Sequence, residues 1–243
     1  PFKGEIEFRN VSFHYPDADE DVLHEISFTA KPGQTTAFIG STGSGKSTVV
    51  NLLPRFYDVT EGDILIDGQS IKSITQHSLR QAIGVVPQDS VLFNDTLIEN
   101  VRYGRPDAND DDVKRAIQMA HLQDFIKSLP KGYDTHVGER GLKLSGGEKQ
   151  KLALGRALIR KPKVLFLDEP CANLDGRATR DIEDLLLQAS KHGTRIIMTT
   201  HDLGQCRRLA RDVVFLLNGR LHEFGVAEEF LASPRTLEAR SFL

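Results

Sequence analysis

A glycine-rich loop between two apolar segments is the part of the sequence best suited to bind phosphate. The stretch GSTGSGKS runs from Gly40 to Ser47. It fits the spacing of two glycines, a lysine and a serine or threonine that forms a phosphate-binding loop. The apolar, β-branched stretch TTAFIG precedes it, and KSTVVNLL follows it with helical spacing of its apolar residues. The sequence therefore predicts a strand, a phosphate-binding loop and a helix, in that order.

Each part of this loop suits a different part of a phosphate ligand. Glycines free the backbone so that N–H groups curl around an anion, and the dipole of the following helix adds positive charge there. We expect Lys46 to reach the outer phosphates of a nucleotide, and the Ser47 hydroxyl to ligate Mg2+. A flexible Gly/Ser linker is the alternative, but a linker is not framed by an apolar strand and a helix. The predicted phosphate-contacting residues are Gly40, Ser41, Thr42, Gly43, Ser44, Gly45, Lys46, Ser47 and Thr48.

Two adjacent carboxylates end another apolar stretch, KVLFLDEP. A buried strand would carry Asp168 to the carboxyl edge of a parallel sheet, where ligands bind in open α/β folds. There Asp168 could hold Mg2+, directly or through water. Glu169 follows it and could polarise a water molecule for attack on a γ-phosphate. Acidic residues at strand ends are common, so this motif alone is weak evidence. Together with the phosphate loop it becomes strong evidence for a nucleotide site.

A second candidate anion site lies in the stretch LKLSGGEKQ, where Ser145, Gly146 and Gly147 stand directly before a predicted helix. A hydroxyl, bare backbone amides and a helix N-terminus suit an anion. Alternatively, Ser145 is a helix cap, with Glu148 completing a capping box. The residues alone leave the two interpretations open.

Four further side chains are candidates of lower specificity. His201 follows the strand-like RIIMTT and could contact a γ-phosphate and orient water, although a lone histidine there is more often structural. Gln88 follows VVP and could reach magnesium or water with its neutral amide. Tyr15 could stack on a base, or only pack at a strand end. Cys171 is interpreted as a small buried residue beside the site, since no neighbouring residue in the sequence would favour a catalytic thiolate.

Composition narrows the class of protein. The chain has 243 residues, 39% hydrophobic and 27% charged, with a net charge of −3 that argues against a general nucleic-acid binder. The basic stretch RALIRKPK is interpreted as a solvated helix end. The two cysteines, Cys171 and Cys206, form no disulfide framework and suit a reducing compartment. No apolar run approaches the ~20 residues of a membrane span, no signal peptide is visible, and the start at Pro1 suggests an excised domain.

The order of predicted elements gives the fold class. Strand-like stretches open the chain (EIEFRNVSFHY, VLHEISFTA, GDILIDGQ), and a helical region follows AIGVVPQD. That region includes DDDVKRAIQMAHL, QDFIKSLP and a longer helix from Gly146 to about Arg160. Strands and helices then alternate again, which predicts a parallel sheet with crossover helices. The helical middle is predicted to be an insertion into this α/β core.

Together these motifs resemble the nucleotide-binding domain of ATP-binding cassette (ABC) transporters. The resemblance covers nearly the whole chain, and LSGGE at this distance before VLFLDE is highly specific to the family. It implies an α/β P-loop NTPase fold with a RecA-like core, an N-terminal antiparallel β portion and an inserted α-helical subdomain. The implied single domain is 1–243, with the core and β portion in 1–88 and about 161–243, and the helical subdomain in about 89–160. The matching residues are Tyr15, GSTGSGKS, Gln88, LSGGE, VLFLDE, NLD and His201.

The resemblance also implies a function and partners. It implies binding and hydrolysis of ATP with Mg2+, and head-to-tail pairing with a second nucleotide-binding domain, so that the signature LSGGE of one chain caps the ATP of the other. It places such a domain at the cytoplasmic face of a membrane, coupled to membrane-spanning domains, with no nucleic-acid partner. A non-transport ABC ATPase and a largely inactive scaffold made by fold recombination are the competing classes.

The subfamily resemblance is mixed along the chain. GVVPQDSVLFNDTLIENVRYG and YDTHVGERGLKLSGGEKQ resemble exporters of the heavy-metal or glutathione-conjugate group. The part after the signature is more similar to importer ATPases for phosphate, tungstate or a related oxyanion. An engineered or recombinant chimera would explain this change, and drift within one natural lineage is the rival explanation. A chimera predicts loose packing where the two parts meet.

Overall fold

Two β-sheets organise the chain in a computed structural model that describes residues 2–243; Pro1, the first residue of the predicted domain, lies outside them. The strands are β1 (Ile6–Phe13), β2 (Leu23–Ala30), β3 (Thr36–Ile39), β4 (Glu61–Ile66), β5 (Gln69–Ser70), β6 (Ile83–Val86), β7 (Val164–Asp168), β8 (Arg195–Thr200), β9 (Asp212–Leu217) and β10 (Arg220–Val226). The helices are α1 (Lys46–Leu52), α2 (Gln76–Ala82), α3 (Leu97–Arg102), α4 (Asp110–Met119), α5 (Gln123–Lys127), α6 (Gly146–Leu158), α7 (Gly176–Lys191), α8 (Leu203–Leu209), α9 (Ala227–Ala232) and α10 (Leu237–Phe242).

The larger sheet has the strand order β10-β9-β3-β8-β7-β6. All of its neighbouring pairs are parallel except β9 with the edge strand β10. Strands β3 and β8 are buried at every position because both faces of the sheet are covered, and apolar runs without alternation are what such strands require. Parallel pairing brings the carboxyl ends of β3, β7 and β8 to one edge, which confirms the predicted α/β fold.

The N-terminal sheet has the order β2-β1-β4-β5 and is antiparallel throughout. It packs on the larger sheet through aromatic rings. Phe28 stacks on Phe8 with ring centroids 4.7 Å apart and meets Phe38 of β3 edge to face at 5.4 Å. The predicted N-terminal β portion is therefore confirmed, and it supports the strand that leads into the phosphate loop.

Helices α3 to α6 lie between β6 and β7 in the chain, as an insertion should. Their starts are set by side-chain caps: Asn109 accepts the backbone N–H of Asp112, and Thr96 accepts that of Glu99. Their apolar faces join β6, β7, α7 and α8 in one buried cluster. The exact subdomain boundaries at 88 and 161 stay predictions. None of the helices in residues 2–243 is both long and apolar enough to cross a lipid bilayer.

Strand pairing is regular where the two parts with different subfamily resemblance meet. β3 precedes the signature, whereas its neighbours β8 and β9 follow it. Thr36 to Ile39 pair in unbroken register with 197–200 of β8 and with 212–215 of β9. These pairs show no bulge, but backbone register does not test side-chain packing, so the predicted loose packing stays a prediction. A recombinant origin stays a hypothesis.

Candidate nucleotide site

The phosphate loop lies at the carboxyl edge of the parallel sheet, beside the ends of β7 and β8. Since β8 lies between β3 and β7, Thr200 pairs with Ile39 and Thr199 pairs with Asp168. The sheet register therefore brings segments far apart in sequence to one place. This is the edge at which open α/β sheets bind ligands.

Two glycines of the loop are required by the space around them. A Cβ on Gly40 would stand 2.3 Å from the carbonyl oxygen of Leu216, and a Cβ on Gly45 would stand 2.7 Å from the Leu23 side chain. Gly45 also has a φ of +101°, a backbone conformation that L side chains rarely adopt. The loop backbone therefore lies directly against Leu216 of β9 and Leu23 of β2, and the chain continues from the loop into helix α1.

Lys46 is buried inside the curve of the loop. Its Nζ donates hydrogen bonds to the carbonyl oxygens of Gly40 and Ser41, at 2.6 and 3.1 Å. Burial lowers the pKa of this ammonium, while the nearby carboxylates of Glu169 and Asp168 raise it. The side chain is therefore a desolvated cation at the place where the outer phosphates of a nucleotide are predicted. Ser44 adds a buried hydroxyl that has no hydrogen-bond partner within residues 2–243.

Asp168 is held from two sides by hydroxyl groups. Its Oδ1 accepts hydrogen bonds from Thr199 Oγ1 at 2.6 Å and from Ser47 Oγ at 3.2 Å. The sequence alone does not single out Thr199; its one signal there is that it belongs to the pair of threonines before His201. Ser47 and Asp168 offer hard oxygen ligands, which fit Mg2+. Within the described residues no group of three or more His, Cys, Asp or Glu side chains is suited to a metal ion. Mg2+ is commonly held by one or two carboxylates together with water and substrate phosphates, so a site with one carboxylate fits it.

Glu169 is turned toward His201. Its backbone has a φ of +46°, and its N–H donates to Thr199 Oγ1 at 2.9 Å and to the Thr199 carbonyl oxygen at 3.2 Å. The Glu169 side chain is 13% exposed, and its Oε2 lies 2.9 Å from Nδ1 of His201, whose ring is 67% exposed. A positive φ at a non-glycine residue is a strained conformation, and such residues cluster at functional sites. The sequence predicted both residues at this edge but not their contact, and the predicted roles of His201 toward a γ-phosphate and water stay predictions.

Gln88 and Tyr15 lie beside different parts of this centre. Gln88 is exposed and lines a cavity of about 220 Å³ together with Glu169, Gly146 and Asn173. Tyr15 is half-buried, and its hydroxyl oxygen lies 3.0 Å from Thr48 Oγ1. Its ring meets Tyr57 edge to face at 5.2 Å. Tyr15 therefore packs at a strand end, as one interpretation predicted, while stacking on a base stays a prediction.

Comparison with known proteins identifies the family. The model of the ABC transporter family matches residues 23–172. This chain belongs to the ABC transporter family. Its fold is that of the family's ATPase domain: it superimposes on a solved bacterial Atm1-family ABC exporter with ATP bound, with a TM-score of 0.90 and 44% sequence identity over 99% of this chain and 41% of that one.

Two curated relatives match nearly the whole of this ABC domain. It is 48% identical over 230 residues to ATP-binding cassette sub-family B member 6 of Mus musculus, covering 95% of this chain and 27% of that protein. It is 45% identical over 236 residues to a Staphylococcus aureus protein named as a multidrug export ATP-binding/permease protein, covering 97% of this chain and 40% of that protein. The chain thus spans well under half the length of these relatives.

The ABC signature begins helix α6 with a complete capping box. Ser145 Oγ accepts the N–H of Glu148 at 3.2 Å, and Glu148 Oε2 accepts the N–H of Ser145 at 2.8 Å. Gly147 allows α6 to approach α7, because a Cβ there would stand 2.8 Å from the Cβ of Ala178. The helix-cap interpretation is confirmed. No hydrogen bond among residues 2–243 joins residues 145–147 to the phosphate loop, and their role toward an anion stays a prediction.

The two cysteine thiols of the ABC domain have raised pKa values. Burial raises the pKa of both the Cys171 and the Cys206 thiol to about 12. A thiol with such a pKa stays protonated at neutral pH and is a poor nucleophile. Cys171 packs against the core cluster beside Leu174, in agreement with the structural interpretation of this residue.

Proposed function

We propose that this chain binds and hydrolyses ATP as the motor domain of an ABC exporter. One observation carries the proposal: a desolvated lysine, a serine–aspartate pair and a glutamate–histidine pair meet at the carboxyl edge of one sheet. Together they provide a cation for phosphate, oxygen ligands for a metal, and a carboxylate that can orient water. A relative named for multidrug export, aligned over 97% of the chain, supports the same conclusion.

Each residue has a role in this proposal. The loop amides and Lys46 bind the β- and γ-phosphates, and the Tyr15 ring supports the base. Ser47, Asp168 and Gln88 hold Mg2+, which neutralises charge on the phosphate oxygens when bound. Glu169 accepts a hydrogen bond from the attacking water and draws its proton away as it attacks. His201 holds the Glu169 carboxylate in place and reaches toward the γ-phosphate.

Pairing with a second nucleotide-binding domain completes the site in this proposal. Ser145 and Gly146 are exposed at the start of α6, where N–H groups and the helix dipole favour an anion. Since they make no hydrogen bond to the phosphate loop of their own chain, they are free to contact a nucleotide held by another copy. Two chains related head to tail would then enclose two ATP molecules.

A second groove is proposed to receive the membrane-spanning domains. It has a volume of about 420 Å³ and its lining includes Phe56, Val91 and Tyr103, three apolar side chains that are exposed to solvent. Exposed apolar clusters of this kind mark interaction sites. The exporter-like stretch 135–141 is proposed to contact the same partner. A chain bound in this way lies at the cytoplasmic face of a membrane.

A dilution series of ATP turnover tests the paired mechanism. If each site needs residues 145–147 from a partner, specific activity should rise with protein concentration, because association follows mass action. Constant specific activity over about a hundred-fold dilution, in a chain that stays monomeric with ATP, would rule out pairing. A chain without any turnover would favour the inactive recombinant scaffold. A non-transport ABC ATPase would turn over ATP but would not bind membrane-spanning domains at the groove.

A further inference from the structure

Helices α7 and α8 are joined by a pair of charged side chains that the proposed mechanism does not use. Arg208, in the last turn of α8, donates two hydrogen bonds to Glu183 of α7, from Nε to Oε2 and from Nη2 to Oε1, both at 2.7 Å. A two-point contact between a guanidinium and a carboxylate fixes direction as well as distance. The pair therefore sets the orientation of α8 relative to α7.

Glu183 depends on this one partner. Its side chain is 6% exposed, whereas that of Arg208 is 51% exposed. Within residues 2–243 the Glu183 carboxylate accepts no hydrogen bond from any other group. A buried carboxylate that loses its partner is strongly disfavoured, so α8 cannot turn away from α7 without a large penalty.

The other end of α8 begins directly after His201. Asp202 Oδ1 accepts the backbone N–H groups of Gly204 and Gln205, at 2.8 and 3.1 Å, and so caps the start of the helix. Asp202 Oδ2 lies 3.9 Å from Nη2 of Arg208. Gly204 leaves room for the guanidinium, since a Cβ there would stand 3.0 Å from Arg208 Nη1. Arg208 is thus placed between the neighbouring helix and the residue that follows His201.

His201 itself is held by few contacts. Its ring is 67% exposed, and in the described part of the chain its side chain makes one hydrogen bond, between Nδ1 and Glu169 Oε2 at 2.9 Å. Its backbone N–H donates to the same oxygen at 3.3 Å. Because His201 connects strand β8 to the cap of α8, its position depends on where α8 begins. A rotation of α8 would therefore lengthen both contacts to Glu169.

We propose that Arg208 is a positioning residue for the Glu169–His201 pair. It fixes α8 against Glu183, and the start of α8 in turn fixes His201 beside the Glu169 carboxylate. This inference rests on the proposed function, in which Glu169 draws a proton from the attacking water. Arg208 acts only through the geometry of α8 and has no contact with the nucleotide in this proposal.

Nuclear magnetic resonance of the histidine rings tests the inference without relying on turnover. The Nδ1 signal of His201 reports its contact with Glu169, and His201→Ala identifies this signal among the eight histidines. Arg208→Met removes the guanidinium, and Glu183→Met breaks the same contact from the other helix. The matched control is Arg207→Met: Arg207 is exposed on the same helix, and its side chain makes no hydrogen bond or ion pair among residues 2–243.

We expect the His201 signal to move in Arg208→Met and in Glu183→Met. It should stay in place in Arg207→Met. The turnover number should fall by roughly three- to tenfold in the first two variants, less than the loss of a positioned base would cost. The ATP concentration for half-maximal turnover should change little, because the phosphate loop is untouched. Arg208→Lys keeps the charge without the two-point contact and should lie between these variants and the unmodified chain.

The double variant Arg208→Met/Glu183→Met separates positioning from stability. It replaces a buried ion pair by an apolar pair, a change that often leaves stability unaltered, so it is expected to fold even where a single variant does not. Its His201 signal should match that of either single variant, since all three lack the same contact. A merely structural role would lower the melting temperature of the single variants and leave the His201 signal in place.

Two results would overturn the inference. The first is an unmoved His201 signal in the double variant. The second is an equal fall in turnover when Arg208→Met is made in the unmodified chain and in a chain that carries His201→Ala, since Arg208 would then act by another route. An unmodified chain without ATP turnover would refute the proposed function and this inference with it, whereas an unmoved signal in an active chain would refute this inference alone.

Discussion

Thr199 offers a sharp test of the catalytic centre, because one hydroxyl holds both neighbouring acids. The residue is 0% exposed, and its Oγ1 donates to Asp168 Oδ1 at 2.6 Å while accepting the N–H of Glu169 at 2.9 Å. A hydroxyl can do both, since it has one proton and two lone pairs. Thr199→Val replaces this hydroxyl with a methyl group of nearly the same shape, so the packing is kept and both hydrogen bonds are lost.

The expected size of the effect follows from these two contacts. A hydrogen bond to a charged group contributes about 1.5–3 kcal/mol. After the change, Asp168 Oδ1 would keep only the 3.2 Å hydrogen bond from Ser47, and the N–H of Glu169 only its 3.2 Å bond to the Thr199 carbonyl oxygen. If the lost bond positions the acids in the transition state, turnover should fall by roughly 10- to 100-fold, since about 1.4 kcal/mol corresponds to tenfold.

The assay is steady-state ATP turnover at varied Mg2+ concentration, with the melting temperature as a check on folding. Thr199→Ser keeps the hydroxyl and should retain most of the activity. Thr200→Val is the matched control. This neighbouring buried hydroxyl accepts, within residues 2–243, only the backbone N–H of Asp202, at 3.0 Å, and should matter less. Equal turnover in Thr199→Val and the unmodified chain would refute the reasoning, as would an equal loss in the serine and valine variants.

Three further predictions concern the catalytic glutamate, the loop lysine and the two cysteines. Glu169→Gln should leave ATP binding intact and lower hydrolysis by about 100-fold or more, the range of a positioned base; unchanged turnover would remove Glu169 from that role. Lys46→Ala should weaken ATP binding itself, and a calorimetric titration with unaltered affinity would contradict this. Since burial raises the pKa of Cys171 and Cys206 to about 12, maleimide at pH 8 should label both roughly 1000-fold more slowly than a free thiol; rapid labelling of the folded chain would contradict the burial.

The sequence carried enough information for the outline of the site because its motifs sit at element ends. The apolar stretches that end at Ile39, Asp168 and Thr200 are fully or nearly fully buried strands, and parallel strands place the residues after them at one edge. The loop glycines and the capping box at Ser145 depend only on neighbouring residues, so they too could be predicted from the sequence without knowledge of the fold.

Other features depend on contacts between distant segments and were missed. The role of Thr199 follows from the register that pairs it with Asp168, 31 residues away in sequence.

Helices α3, α9 and α10 have six residues each, too few for a periodic signal. The interpretation of RALIRKPK as a solvated helix end is wrong for Arg156. Its guanidinium donates a hydrogen bond to the Asn100 carbonyl oxygen and lies over the Phe93 ring, which shields it from solvent.

The groups proposed to bind ATP already hold one another in this arrangement. Lys46 bonds to the Gly40 carbonyl oxygen, Ser47 to Asp168, and Glu169 to His201. Binding of a nucleotide would therefore exchange hydrogen bonds rather than add them, and an exchanged bond contributes far less than its strength in isolation. The net affinity would then depend on what the nucleotide adds: its phosphate charge beside a desolvated cation, its base, and, if the proposed pairing occurs, contacts with residues 145–147 of a second chain. We therefore expect the isolated domain to bind ATP modestly, and the proposed pairing to tighten binding by supplying the last of these contacts.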